Sequence, residues 1–123
     1  MRIFLLPLLA LLLALPSLSC SNDDASILGI IDNITIGTTS APRNGTIDLP
    51  AGVYDITVTL GGGASATRFL WDSTSGTFSS TTTGNTTWTS PTTPGHQRLT
   101  LRIDGDVDGK VGEDIYVFNA EIL

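Results

Sequence analysis

The chain has 123 residues, a formal net charge of −6 with twelve acidic against six basic side chains, and a single cysteine. That acidity argues against nucleic acid as a partner and against direct adsorption to anionic lipid. One cysteine excludes an intrachain disulfide, and the length suits one ordinary domain with one core.

Met1-Arg2 supplies a short basic start, and Ile3 to Leu15 is an apolar run broken only by Pro7. Pro16-Ser17-Leu18-Ser19 lead into Cys20, followed by Ser21-Asn22-Asp23-Asp24. A charged start, an apolar middle and small residues at a cut form the layout of a secretory signal peptide, here residues 1–19. The run falls short of the roughly 20 residues that span a bilayer as a helix. The cysteine at the cut resembles the bacterial lipoprotein pattern, in which the cysteine is diacylated and a leucine usually lies three residues before it. Here Leu18 lies two before and Ser17 three before. The resemblance implies a membrane anchor on Cys20. By the sorting rule of enteric bacteria, that resemblance, with serine rather than aspartate after the cysteine, implies the outer membrane or cell surface. Ordinary cleavage near Ser19 or Ser21, releasing a secreted protein, is the alternative.

Residues 20–26 read as the modified cysteine and a short polar tether, and residues 27–123 as the folded domain. From there the chain is rich in Thr, Ser, Gly, Ile and Val, and it alternates as half-buried strands do. A first strand begins near Ile27 and takes in Ile34 and Ile36. In Tyr54 to Leu60, Tyr54, Ile56, Val58 and Leu60 share one face while Asp55, Thr57 and Thr59 take the other. Phe69 and Trp71 mark another strand, and Thr86 to Thr89 around Trp88 the next. In Arg98 to Ile103, Leu99, Leu101 and Ile103 face inward, and Ile115 to Ile122 closes the chain. Turn signals separate these segments at Asn44-Gly45, Pro50-Ala51-Gly52, Gly61-Gly62-Gly63, Ser75-Gly76, Gly84-Asn85, Pro94-Gly95 and Asp108-Gly109. The expected fold is all-β, an immunoglobulin-like antiparallel β-sandwich of about seven strands. Trp71 and Trp88 are expected in its core, with a sugar-stacking platform as the alternative use of either ring.

Phe69-Leu70-Trp71-Asp72-Ser73-Thr74-Ser75-Gly76-Thr77-Phe78 resembles the middle of bacterial immunoglobulin-like modules of the PKD-type group. Gly84-Asn85-Thr86-Thr87-Trp88-Thr89-Ser90-Pro91 is similar to their Gly-x-Thr-x-x-Trp-x-x-Pro segment. Thr93-Pro94-Gly95, the strand Leu99 to Ile103 and Asp104-Gly105 are similar to their Pro-Gly turn, penultimate strand and Asp-Gly end. The family often has a tyrosine two residues after the Pro-Gly turn, and this chain has Gln97 there. The resemblance implies a non-catalytic spacer, adhesion or interaction module. It is nearly silent about ligand, because these are scaffold motifs.

Asp104-Gly105-Asp106-Val107-Asp108-Gly109 holds alternate carboxylates followed by glycine, as at the start of a calcium loop. Asp104, Asp106, Asp108 and Asp114 are the candidate ligands for a structural calcium ion. Counting from Asp104, position twelve is Ile115 rather than the glutamate an EF-hand needs, and Glu113 and Asp114 come early. A solvated hairpin joining the last two strands accounts for the same residues and is the favoured reading, with no cofactor. Asn33, Asn44 and Asn85 each begin an Asn-x-Thr triplet, which is frequent by chance in a Thr-rich chain.

Catalysis finds little to work with. The sole histidine, His96, adjoins a turn, no Gly-x-Ser-x-Gly elbow occurs, and Gly61-Gly62-Gly63 has no following lysine to make a phosphate loop. Asp55 and Asp72 can be imagined as a glycosidase pair, but the sequence gives no reason to set them at the required separation. The expected function is therefore non-catalytic: a cell-envelope lipoprotein module for binding, adhesion or structure. Its loops Gly61 to Ala66 and Ser79 to Gly84 would face a protein or glycan partner. A secreted, calcium-stabilised adhesion or carbohydrate-binding module is the alternative.

Overall fold

The computed structural model describes residues 27–123, so the leader, Cys20 and the tether lie outside the described residues. Among the described residues, nine strands run in chain order: β1 (Ile31–Ile36), β2 (Thr39–Ala41), β3 (Thr46–Leu49), β4 (Val53–Leu60), β5 (Ala64–Ser73), β6 (Thr77–Phe78), β7 (Thr86–Thr89), β8 (Gly95–Val107) and β9 (Lys110–Ile122). They form a four-stranded sheet ordered β3-β9-β8-β5 and a five-stranded sheet ordered β2-β1-β4-β7-β6. Within these, β1-β4-β7-β6 follows the A-B-E-D order of an immunoglobulin sandwich, and β9-β8-β5 follows G-F-C.

The expected sandwich is present, with two corrections. The strands number nine rather than about seven, because β2 and β3 add an edge to each sheet. Nor is the pairing wholly antiparallel: β3 runs parallel to β9, with Thr46 opposite Asn119 and Leu49 opposite Ile122. Both departures arise in the segment after β1. The chain turns back as β2 on the first sheet, then crosses at Pro42 to Gly45 to reach the second. A turn bond from the Gly45 amide to the Pro42 carbonyl (3.0 Å) makes this crossing, with Asn44 at φ 62°.

Alternation places the core as expected. Ile34, Ile36 and Ile56 on one sheet meet Leu99, Leu101, Ile103 and Phe118 on the other, all essentially inaccessible to water. Trp88 is fully buried and Trp71 is 2 % exposed, its ring 5.5 Å from that of Phe78. Large aromatics and β-branched chains on the two inner faces supply the apolar burial that holds a disulfide-free sandwich together.

Local chemistry explains the joints. Asp108 (φ 52°) and Gly109 (φ 88°) form the two-residue turn between β8 and β9, a primed turn that matches the twist of the paired strands. Gly105, read from sequence as the end of a strand, lies well inside β8. A side chain there would come within 2.0 Å of the Ser65 carbonyl oxygen on β5. Opposite it, β5 bulges between Ala66 and Arg68, and the Thr67 hydroxyl donates to the Asp104 carbonyl at 3.0 Å.

The strand directions define two ends of the sandwich. Ile27 bridges to Glu113, and the Gly61–Gly63 turn and the Asp108-Gly109 hairpin lie at that same end, joined by a bond from the Asp108 amide to the Gly63 carbonyl (2.9 Å). The opposite end carries Pro50 to Gly52, Thr74 to Gly76, Ser90 to Pro94 and the carboxyl-terminal Leu123, whose amide bonds the Leu49 carbonyl at 3.0 Å.

Candidate functional site

The outer face of the five-stranded sheet carries an open depression of about 420 Å³, lined by Asp55 and Thr57 of β4, Thr86 and Thr87 of β7, and Ser79 and Asn85 of the β6–β7 connection. Pairing of β4 with β7 sets Asp55 opposite Thr87, whose hydroxyl donates to the Asp55 carboxylate at 3.3 Å. The connection is held by its own hydroxyls. Thr86 Oγ1 donates to the Ser80 carbonyl (2.7 Å) and accepts from the Ser80 amide (3.1 Å), while Ser79 Oγ accepts from the Thr87 amide (3.1 Å). Asn85 extends its amide oxygen to the Val58 amide (3.1 Å), standing in for the ladder partner that β4 lacks beyond β7. The groove is thus preformed and polar, with one carboxylate that no cationic side chain among the described residues neutralises. Such a lining can hydrogen-bond an uncharged, hydroxyl-bearing ligand. It has no aromatic platform.

The tryptophans cannot supply one. Trp71 is buried, and its indole N–H donates to the Thr83 carbonyl at 2.9 Å. Trp88 is buried with its indole N–H unpaired beside Gly76. The Trp71 amide also bonds the Thr81 carbonyl (2.8 Å), so the β6–β7 connection covers part of the otherwise free edge of β5.

The four aspartates proposed for calcium do not converge. Asp104 is held by Arg68 (2.7 Å) and lies 4.0 Å from Arg102, which itself pairs with Glu113 at 2.7 Å. Asp106 accepts from the Ser65 hydroxyl and, at 3.0 Å, from the Gly109 amide. Asp108 packs its carboxylate over Gly63. Asp114 is on the other face of its sheet and 3 % exposed. Strand alternation is the reason: Asp114 is opposite Ile103, an inward position, while Asp104 is opposite Glu113 on the outer face. Among the described residues, no three His, Cys, Asp or Glu side chains are grouped to hold a metal ion.

Asp114 instead belongs to an ion pair that sequence reasoning missed. Arg43, in the β2–β3 crossing, donates to both Asp114 oxygens at 3.2 Å and to the Ile115 and Ile31 carbonyls at 2.8 and 3.2 Å. The Ile31 amide donates to Asp114 at 2.8 Å, and the Arg43 guanidinium lies 4.5 Å from the centre of the Tyr116 ring. Tyr116 in turn donates to the Ala41 carbonyl across the sandwich. Burial raises the Tyr116 phenol above its ordinary value; Arg43 opposes that shift and Asp32 adds to it. This cluster ties β1, the crossing and β9 together, and its role is structural.

The remaining candidates are placed plainly. Asp55 and Asp72 project from the outer faces of opposite sheets, so they cannot flank one bond. His96 is exposed and contacts Glu121 at 3.0 Å. Gln97, where the PKD-type resemblance expects tyrosine, accepts from the Thr74 hydroxyl at 3.0 Å, and Thr74 accepts from the Arg98 amide at 2.9 Å. A short polar relay therefore secures that corner. Comparison of the chain with protein-family models, with curated proteins and with solved structures finds no match in any of the three.

Proposed function

We propose that the chain is a non-catalytic lipoprotein of the cell envelope, anchored by acylation of Cys20, whose PKD-type immunoglobulin-like sandwich serves as a binding, adhesion or structural module. One observation carries this reading: the only cysteine falls where an apolar leader gives way to a polar tether, directly ahead of a complete sandwich. No cysteine lies among the described residues. Its mechanism is display. A rigid two-sheet scaffold presents the groove at Asp55, Thr57 and Thr87, with Ser79 and Asn85 of the β6–β7 connection as its wall, to a protein or glycan partner. Separation of Asp55 from Asp72 and the surface setting of His96 support a non-catalytic role.

Metabolic labelling with a fatty-acid analogue tests the anchor. The native protein takes up label and Cys20→Ala does not. An unlabelled native protein, secreted and intact, overturns the proposal.

A further inference from the structure

We infer that the hairpin end of the sandwich, with Asp108-Gly109 and Gly61–Gly63, faces the membrane, and that the loops at the opposite end are the surface turned outward. The inference rests on the Cys20 anchor proposed above and adds an orientation to it. Ile27 enters the fold by bridging to Glu113, and the Leu28 amide bonds the Glu113 carbonyl at 2.7 Å, so the chain is fastened at the hairpin end before β1 begins. Seven residue steps separate Cys20 from Ile27, and such a segment reaches at most about 25 Å. The sandwich is taller than that. β8 and β9 have 13 residues each, a length of roughly 40 Å, and from Glu113, where the tether joins β9, to Ile122 is nine residue steps, roughly 30 Å. The tether is too short to carry the far end down to the bilayer.

Three consequences follow for partner access. The Gly61 to Ala66 segment, expected from sequence to be a display loop, begins at the membrane-facing end. Pro50 to Gly52, Thr74 to Gly76 and Ser90 to Pro94 point outward together, and none of these residues is charged. The loops themselves therefore offer a partner hydroxyls, prolines and backbone, with the exposed His96–Glu121 pair and Leu123 beside them.

The test uses the full lipidated protein in phosphatidylcholine vesicles that carry an energy-transfer acceptor on the lipid headgroup. Lys110→Cys marks the hairpin end and Thr93→Cys the far end; both positions are exposed. Each is labelled with a donor dye, the Cys20 thiol being consumed by acylation. Transfer is expected to be roughly twofold or more stronger from position 110 than from position 93, given a height difference near 40 Å. Equal transfer, or stronger transfer from position 93, in protein that remains vesicle-bound and fatty-acid-labelled overturns the orientation and leaves the anchor standing. Loss of vesicle binding together with loss of label overturns the anchor, and the orientation falls with it.

Discussion

Asp114 shows how one residue type takes its meaning from the strand face it occupies. A carboxylate buried beneath β1 is tolerable only because Arg43 and the Ile31 amide satisfy it. Asp114→Ala is expected to cost about 2–4 kcal/mol in urea unfolding, since it strands the Arg43 guanidinium and the Ile31 amide together. Asp114→Asn, which keeps the shape, should cost less. Tyr116 provides the pH readout of the same cluster. Its folded-state value is raised above the ordinary 10.0 by burial, so its contribution to stability is complete below about pH 10. That contribution is lost as pH rises through the folded-state value. Stability should therefore decline in alkali, and absorbance titration should show Tyr116 ionising above 10.0, with Tyr116→Phe removing that step. Gly76 gives a third residue-scale case. With φ at +83° and a Cβ position 2.5 Å from the Thr89 carbonyl and 2.7 Å from the Trp88 indole nitrogen, Gly76→Ala should destabilise by roughly 2 kcal/mol or more. A melting midpoint equal to that of the native protein would refute this.

Elements differ in how plainly the chain announces them. The inward series Ile56 and Val58, and Leu99, Leu101 and Ile103, are legible because a period of two over several residues has no other economical explanation. β2, β3 and β6 have three, four and two residues, too few to display a period. They exist because a neighbouring strand supplies the hydrogen-bond partners. The β8–β9 hairpin was legible from Asp108-Gly109, but its length was not: Asp104 to Val107 reads as turn composition and is paired strand. That difference also bears on calcium. With Asp104 already neutralised by Arg68 and Asp106 bonded to Ser65 and the Gly109 amide, adding calcium and then chelator should leave the melting midpoint unchanged. A midpoint that rises with calcium and falls with chelator would contradict this placement. Asn85 belongs to this scale as well. Asn85→Ala leaves the Val58 amide without its partner, at an expected cost of about 1 kcal/mol, and loosens one wall of the groove.

At the scale of the whole molecule, the proposed leader and tether bear on the proposed destination, and the sandwich bears on what would be displayed there. The order of residues alone determined the all-β class, the inward set of aliphatic and tryptophan side chains, and the uniqueness of Cys20. Those properties are local or compositional, being set by side-chain size, period and turn chemistry within a few neighbouring residues. Only the tertiary structure decided which side chains share a surface or a buried pair. Asp55 and Thr87 meet because β4 pairs with β7. Arg43 and Asp114 meet across 71 positions of chain because the β2–β3 crossing lies against β9. Asp55 and Asp72 are kept apart because the Gly61–Gly63 turn sends β5 to the other sheet. Period two says that a side chain faces outward. Strand order says which neighbours it finds there, and strand order depends on contacts between distant segments that no short window of sequence contains.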